Sequence, residues 1–187
     1  MDRLEPVPLE KMSPIQRALY DRIASQRSGG QVTGPFAVLL HTPEICDPVS
    51  SFIDHLMSET RLPHKLKEIT ILAIAKAYSA PYEWVVHERR ARRAGVLDSV
   101  IEAIRKGNRP YFYDPDEKLV FDITTEMIEK RHFSEDTYSK ALATLGKETL
   151  VEFVVLLGFY ISVAVLLVSF DVAGPEDINP FTKQNGA

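Results

Sequence analysis

The sequence predicts an all-α fold in a single domain, on three observations. Helix starts and stops recur along nearly all of its 187 residues. No segment alternates apolar with polar residues as a half-buried strand does. There is no internal repeat and no low-complexity tract. The length suits one compact domain that buries its core without disulfides or a structural metal. That domain is expected to span 1–187, with 1–12 and 175–187 as extended arms.

The elements follow in order. Ser13-Pro14 is a cap followed by proline at the first helical position, and the helix it opens should end near Ser28-Gly29-Gly30. Gln31 to Phe36 reads as a loop. Pro43 opens a second helix through about Thr60, and Pro63 a third running toward Tyr78. Pro81 breaks that one; a fourth covers Tyr82 to Ala94 and stops at Gly95, a residue type suited to the left-handed conformation past a helix end. A short fifth, Asp98 to Lys106, closes at Gly107. Asp114-Pro115-Asp116-Glu117 combines a cap, a proline and a Glu three residues on, starting a helix that reaches about Arg131. Ser134 opens the next, which ends near Gly146, and a long apolar helix runs on to Gly174-Pro175.

That last helix is the one segment for which a membrane span must be weighed. Leu150 to Phe170 has the necessary length. Glu152 lies inside it and no Lys or Arg cluster follows, so a buried helix and no membrane are expected. A helix apolar on all sides needs cover on all sides, and part of that cover should come from another copy of the chain.

Composition narrows the function classes. The chain is 45% hydrophobic and 26% charged with a net charge of -4, so no nucleic-acid partner is expected. The run Arg89, Arg90, Arg92 and Arg93 reads as a solvated helix face. The single Cys46 can make no internal disulfide, no zinc spacing is present, and the N-terminus lacks both the basic start and the apolar stretch of a secretory signal. A cytoplasmic setting follows as the expectation.

The informative stretch is Lys65 to Gly95. Glu83 and His87 stand four apart on one predicted helix, where they face each other across a turn and can share a proton. By itself the pair is weak evidence, since many ordinary helices carry Glu and His at this spacing as a surface couple. His87 shares its row with Trp84, Ala91 and Ala94, which predicts partial burial. Glu68 heads an apolar row with Leu72 and Ala75 on the preceding helix; it either salt-bridges Lys65 or Lys67 at the surface or meets His87 inside.

L-x-x-K-x-K-E from Leu62 to Glu68, then Y-E-W-x-x-H-x-x-x-A-x-x-A-G from Tyr82 to Gly95, resembles the core signature of the carboxymuconolactone decarboxylase and alkylhydroperoxidase D-like superfamily. The E-x-x-x-x-L-G-F-Y from Glu152 to Tyr160 and, more approximately, VTGPF from Val32 to Phe36 are similar to it as well. The resemblance implies an alkylhydroperoxidase D-like helical bundle and a homo-oligomer, a trimer or hexamer. Its peroxidase-like branch carries C-x-x-C-x-x-x-H; aligned on His87, the cysteine positions here hold Ala80 and Glu83, while Glu68 stands where a relay glutamate is expected. Without a thiolate, peroxide chemistry is disfavoured.

What remains resembles the decarboxylase-like branch, implying a cofactor-independent carboxy-lyase with no metal that acts on a small anionic substrate of the 4-carboxymuconolactone kind in aromatic compound catabolism. A carboxylated butenolide loses carbon dioxide unaided because the electrons spread through the ring double bond to the lactone carbonyl. The remaining step is protonation. His87, oriented by Glu68 or Glu83, is one candidate acid and a desolvated Glu83 the other. Arg61, Lys65, Lys67 and Arg90 are candidates for holding substrate carboxylates. Two alternatives stay open: another cofactor-free acid/base enzyme for a related lactone or keto acid, and a non-catalytic helical oligomer whose Glu68 and His87 satisfy one another. A catalytic pair should face a cavity and a structural pair should be packed tight.

Overall fold

In a computed structural model, residues 3–27 and 29–182 are described. The parts of the two expected arms at 1–2 and 183–187, and the Ser28 of the first helix stop, lie outside them. Eight α-helices occur among the described residues, with no strand.

The capping chemistry is local and explicit. α1 (Pro14–Ser25) starts with a reciprocal cap, Ser13 Oγ accepting from Gln16 N–H while Gln16 Oε1 accepts from Ser13 N–H at 2.9 Å. Gln16 also donates to the carbonyl of Leu40 at 2.8 Å, which ties α1 to the end of α2 (Pro35–Leu39). α2 corrects the loop expected at Gln31 to Phe36. Four of its five residues are buried, so packing rather than propensity holds this short turn. α3 (Pro43–Ser58) and α4 (His64–Tyr78) follow as expected. Ser79 then turns left-handed at φ 53°, the N–H of Ala80 closes on the carbonyl of Ala75, and α5 (Pro81–Arg93) folds back across α4. α6 (Asp98–Arg105) and α7 (Pro115–Lys130) complete the first bundle layer. Asp114 caps α7 by accepting from Asp116 N–H, but Glu117 does not reach back to complete a capping box. It is buried against Lys65 of α4 instead.

α8 (Glu135–Ser169) is capped by Ser134 and broken at Gly146, whose φ of 74° and ψ of 170° separate two helical limbs where the sequence places a helix end. Its apolar second limb is only partly covered within the single chain. Val151, Val154, Val155 and Val165 remain exposed, whereas α4 is buried from Leu66 through Ala75 and packs against α5, α6, α7 and α8. α8 is also the one described helix long and apolar enough to cross a membrane, by length and composition. The C-terminal segment packs back on its own chain: Phe181 meets Trp84 edge-on at 5.4 Å, and Arg105 donates to the carbonyl of Pro180.

Candidate active site

α4 and α5 lie antiparallel because the Ser79-Ala80-Pro81 turn is tight, and this sets Glu68 opposite His87. His87 Nδ1 and Glu68 Oε2 are 2.7 Å apart, with both residues buried. With Glu68 as the accepting carboxylate, Nδ1 carries the proton and Nε2 is left without a partner among the described residues. Neither neighbouring lysine competes for Glu68. Lys65 pairs with Glu117, and Lys67, itself buried, donates to the carbonyl of Met57 at 2.9 Å. Burial pulls the Lys67 amine below its ordinary pKa, while Glu152 and Glu68 push it back up.

Glu83 departs from the expected pairing with His87. It occupies the first turn of α5 and is 3% exposed, yet neither carboxyl oxygen has a hydrogen-bond partner among the described residues. Burial raises its pKa well above the usual carboxylate range, which favours the protonated, neutral form. A neutral acid with no protein partner is poised to donate. Trp84, wholly buried next to it, donates its indole N–H to Glu88 at 2.8 Å and leaves Glu83 to itself.

α8 supplies a residue that sequence reasoning left inside a motif without a role. Tyr160 is buried with its ring edge-on to His87 at 5.2 Å, and its hydroxyl reaches Met57 Sδ at 3.2 Å. Burial raises its pKa, and the Arg90 charge acts in the opposite sense. The available signal was a Gly-Phe-Tyr run in an otherwise aliphatic helix. VTGPF acts structurally. Gly34, at φ 63°, lies where a Cβ would stand 2.2 Å from the Tyr82 ring, and Thr33 Oγ1 meets the Tyr82 hydroxyl at 2.7 Å. Together they strap the segment before α2 onto the start of α5.

Of the four cations considered for substrate carboxylates, three are engaged. Arg61 pairs with Glu152 through its side chain and its backbone N–H, Lys65 with Glu117, and Lys67 with Met57. Arg90 is exposed and makes no hydrogen bond or ion pair among the described residues. Cys46 is fully buried in α3, and burial pushes its thiol up to about 11, which leaves it unreactive. No three of His, Cys, Asp and Glu come together as a metal-ligand set among the described residues. Two surface clefts, one of about 350 Å³ along the limbs of α8 and one of about 220 Å³ beside Pro81 and Gly174, are not lined by Glu68, Glu83 or His87.

Residues 43–126 match the family model described as the carboxymuconolactone decarboxylase family. That span takes in Glu68, Glu83 and His87 and stops short of Tyr160. No curated protein matches the chain.

Proposed function

We propose that this chain, whose residues 43–126 match the carboxymuconolactone decarboxylase family model, is a cofactor-independent acid/base enzyme that decarboxylates a small carboxylated lactone. The observation that carries the reading is the buried Glu68–His87 couple on α4 and α5, with a Glu83 whose two carboxyl oxygens have no hydrogen-bond partner among the described residues. In the reaction the bond from the ring to its carboxylate breaks and carbon dioxide departs. The electron pair spreads into the ring double bond and the lactone carbonyl, and a ring carbon takes up a proton. Glu83, neutral by burial, is the proton donor. His87, held by Glu68 in one tautomer, returns that proton from solvent through Nε2. The protein acts in a reducing, soluble setting as a homo-oligomer.

A second reading has its own observation. Neither surface cleft touches His87, as expected for a helical oligomer in which Glu68 and His87 only satisfy each other. The orphaned carboxyl of Glu83 counts against it, because a purely structural interior leaves few buried polar groups unpaired.

The test is an absorbance screen of carboxylated lactones and keto acids, repeated in deuterated water. Release of carbon dioxide, with deuterium taken up at the ring carbon, is the expected result. No turnover of any member would leave the non-catalytic oligomer as the reading.

A further inference from the structure

Two buried polar side chains converge on Met57, in the last turn of α3. Lys67 Nζ donates to its carbonyl at 2.9 Å, and the Tyr160 hydroxyl donates to its Sδ at 3.2 Å. The first bond has a local cause. The last carbonyls of a helix lack an intrahelical partner, and an ammonium there also meets the negative end of the helix dipole. The second bond has no such cause. A thioether is a weak acceptor, and a phenylalanine at 160 would fill the same space without burying a hydroxyl. What the hydroxyl gains is a fixed place for its ring, since a buried donor with one acceptor among the described residues has one satisfied orientation.

That place matters because of what the ring touches. Tyr160 packs perpendicular to the His87 imidazole, with an interplanar angle of 87° and centroids 5.2 Å apart. It also packs perpendicular to Phe159 at 5.8 Å, and Phe159 in turn meets Phe52 of α3 at 5.3 Å, so α3 reaches Tyr160 by a second route. The contacts close into a loop through four helices: Met57 on α3, Lys67 beside Glu68 on α4, His87 on α5, and Tyr160 on α8 back to Met57. Among the described residues His87 has one hydrogen bond, from Nδ1 to Glu68. A single bond fixes one atom and leaves the imidazole free to swing about it, which carries Nε2 off its line. A buried ring set perpendicular to the imidazole blocks that swing.

We propose that Tyr160, anchored by Met57, is a positioning residue for His87, holding the imidazole where Nδ1 stays on Glu68 and Nε2 stays available for proton transfer. The inference rests on the acid/base reading and deepens it by bringing α3 and α8 into the control of the site. Chemistry stays with Glu68, Glu83 and His87.

The test reads His87 directly and needs no substrate. Long-range proton–nitrogen correlation spectra of the isotope-labelled full chain report which imidazole nitrogen carries the proton, with the His87 signals identified by their loss in His87→Asn. In wild type the proton sits on Nδ1. Tyr160→Phe keeps the ring and loses the anchor, Met57→Leu loses the anchor from its other end, and Tyr160→Leu removes the ring. Each is expected to shift His87 toward a mixture of tautomers, Tyr160→Leu furthest, and Tyr160→Phe with Met57→Leu shifts it no further than either alone. With a substrate in hand, Tyr160→Phe and Met57→Leu lower kcat by roughly tenfold and Tyr160→Leu by more, with KM within about threefold of wild type. Leu167→Ala, a truncation in the core cluster of Val38, Val163 and Val172 apart from the one that holds Tyr160, lowers the melting temperature and leaves the His87 signals unchanged. Unchanged His87 signals in all three variants, or effects that add in the double variant, overturn the proposal. If the signals hold while His87→Asn abolishes turnover, the positioning role falls and the acid/base reading stands. If the signals shift as expected and no lactone or keto acid is turned over, the positioning role stands and that reading falls.

Discussion

Among single residues, Glu83 makes the sharpest statement. A glutamate in the unfolded chain loses its proton near pH 4.3, about where model peptides do. In the fold, burial holds that proton to a well higher pH. Between the two values the folded state binds the extra proton, so stability falls as pH rises through this window and is fully present only below it. Glu83→Gln removes the titration. Its melting temperature should sit progressively further above that of wild type as pH rises past about 4.3, while turnover drops by roughly a hundredfold or more through loss of the acid. Equal pH slopes in both proteins would mean that Glu83 ionises inside the fold. A stabilised but inactive variant is the pattern of a group retained for chemistry at a cost in stability. Glu68 and His87 were legible in the sequence because helical spacing put each on an apolar row. The partnerless state of Glu83 was not, since spacing allowed either Glu68 or Glu83 to meet His87 and could not choose between them. Tyr160 comes from a distant element, and no local pattern ties it to α5.

At the scale of elements, helix boundaries were readable wherever a cap, a proline or a glycine marks them: the reciprocal cap of Ser13, the break at Gly146 and the stop at Gly95. α2 was missed because it is short and owes its existence to burial against neighbours that sequence does not display. The enclosure of α4 was not legible for a related reason. α4 carries Lys67, Glu68 and Thr70 in its interior, each satisfied or paired, and those polar residues disguise the most enclosed helix of the fold. Gly34 links these elements. Gly34→Ala must place a Cβ within 2.2 Å of the Tyr82 ring at a positive φ, so α2 and its strap are forced off α5. A loss of about 2 kcal/mol or more is expected in denaturant melts. Adding Tyr82→Ala should recover the steric part and leave the backbone strain, a non-additive cycle. Additive losses would place the strain elsewhere.

For the whole molecule, the apolar surface of α8 is the outstanding feature. Only 39% of its most apolar stretch is buried within the chain. Val151, Val154 and Val155 line the cleft of about 350 Å³ together with Phe133, Tyr138 and Leu142. A second copy is the cover the sequence calls for. Sedimentation at micromolar concentration should show a homo-oligomer, converted toward monomer by Val151→Lys with Val154→Lys. A wild-type monomer, or partition into membranes, would contradict this. Whether the Glu68–His87–Glu83 cluster is kept for proton transfer rather than for packing is decided by turnover and thermal melting measured together on His87→Asn. Asparagine retains an N–H donor where Nδ1 meets Glu68, but it cannot exchange a proton. A cluster kept for proton transfer gives a melting temperature close to wild type with turnover lowered by roughly a hundredfold or more. Full turnover in His87→Asn would show that the histidine serves packing alone.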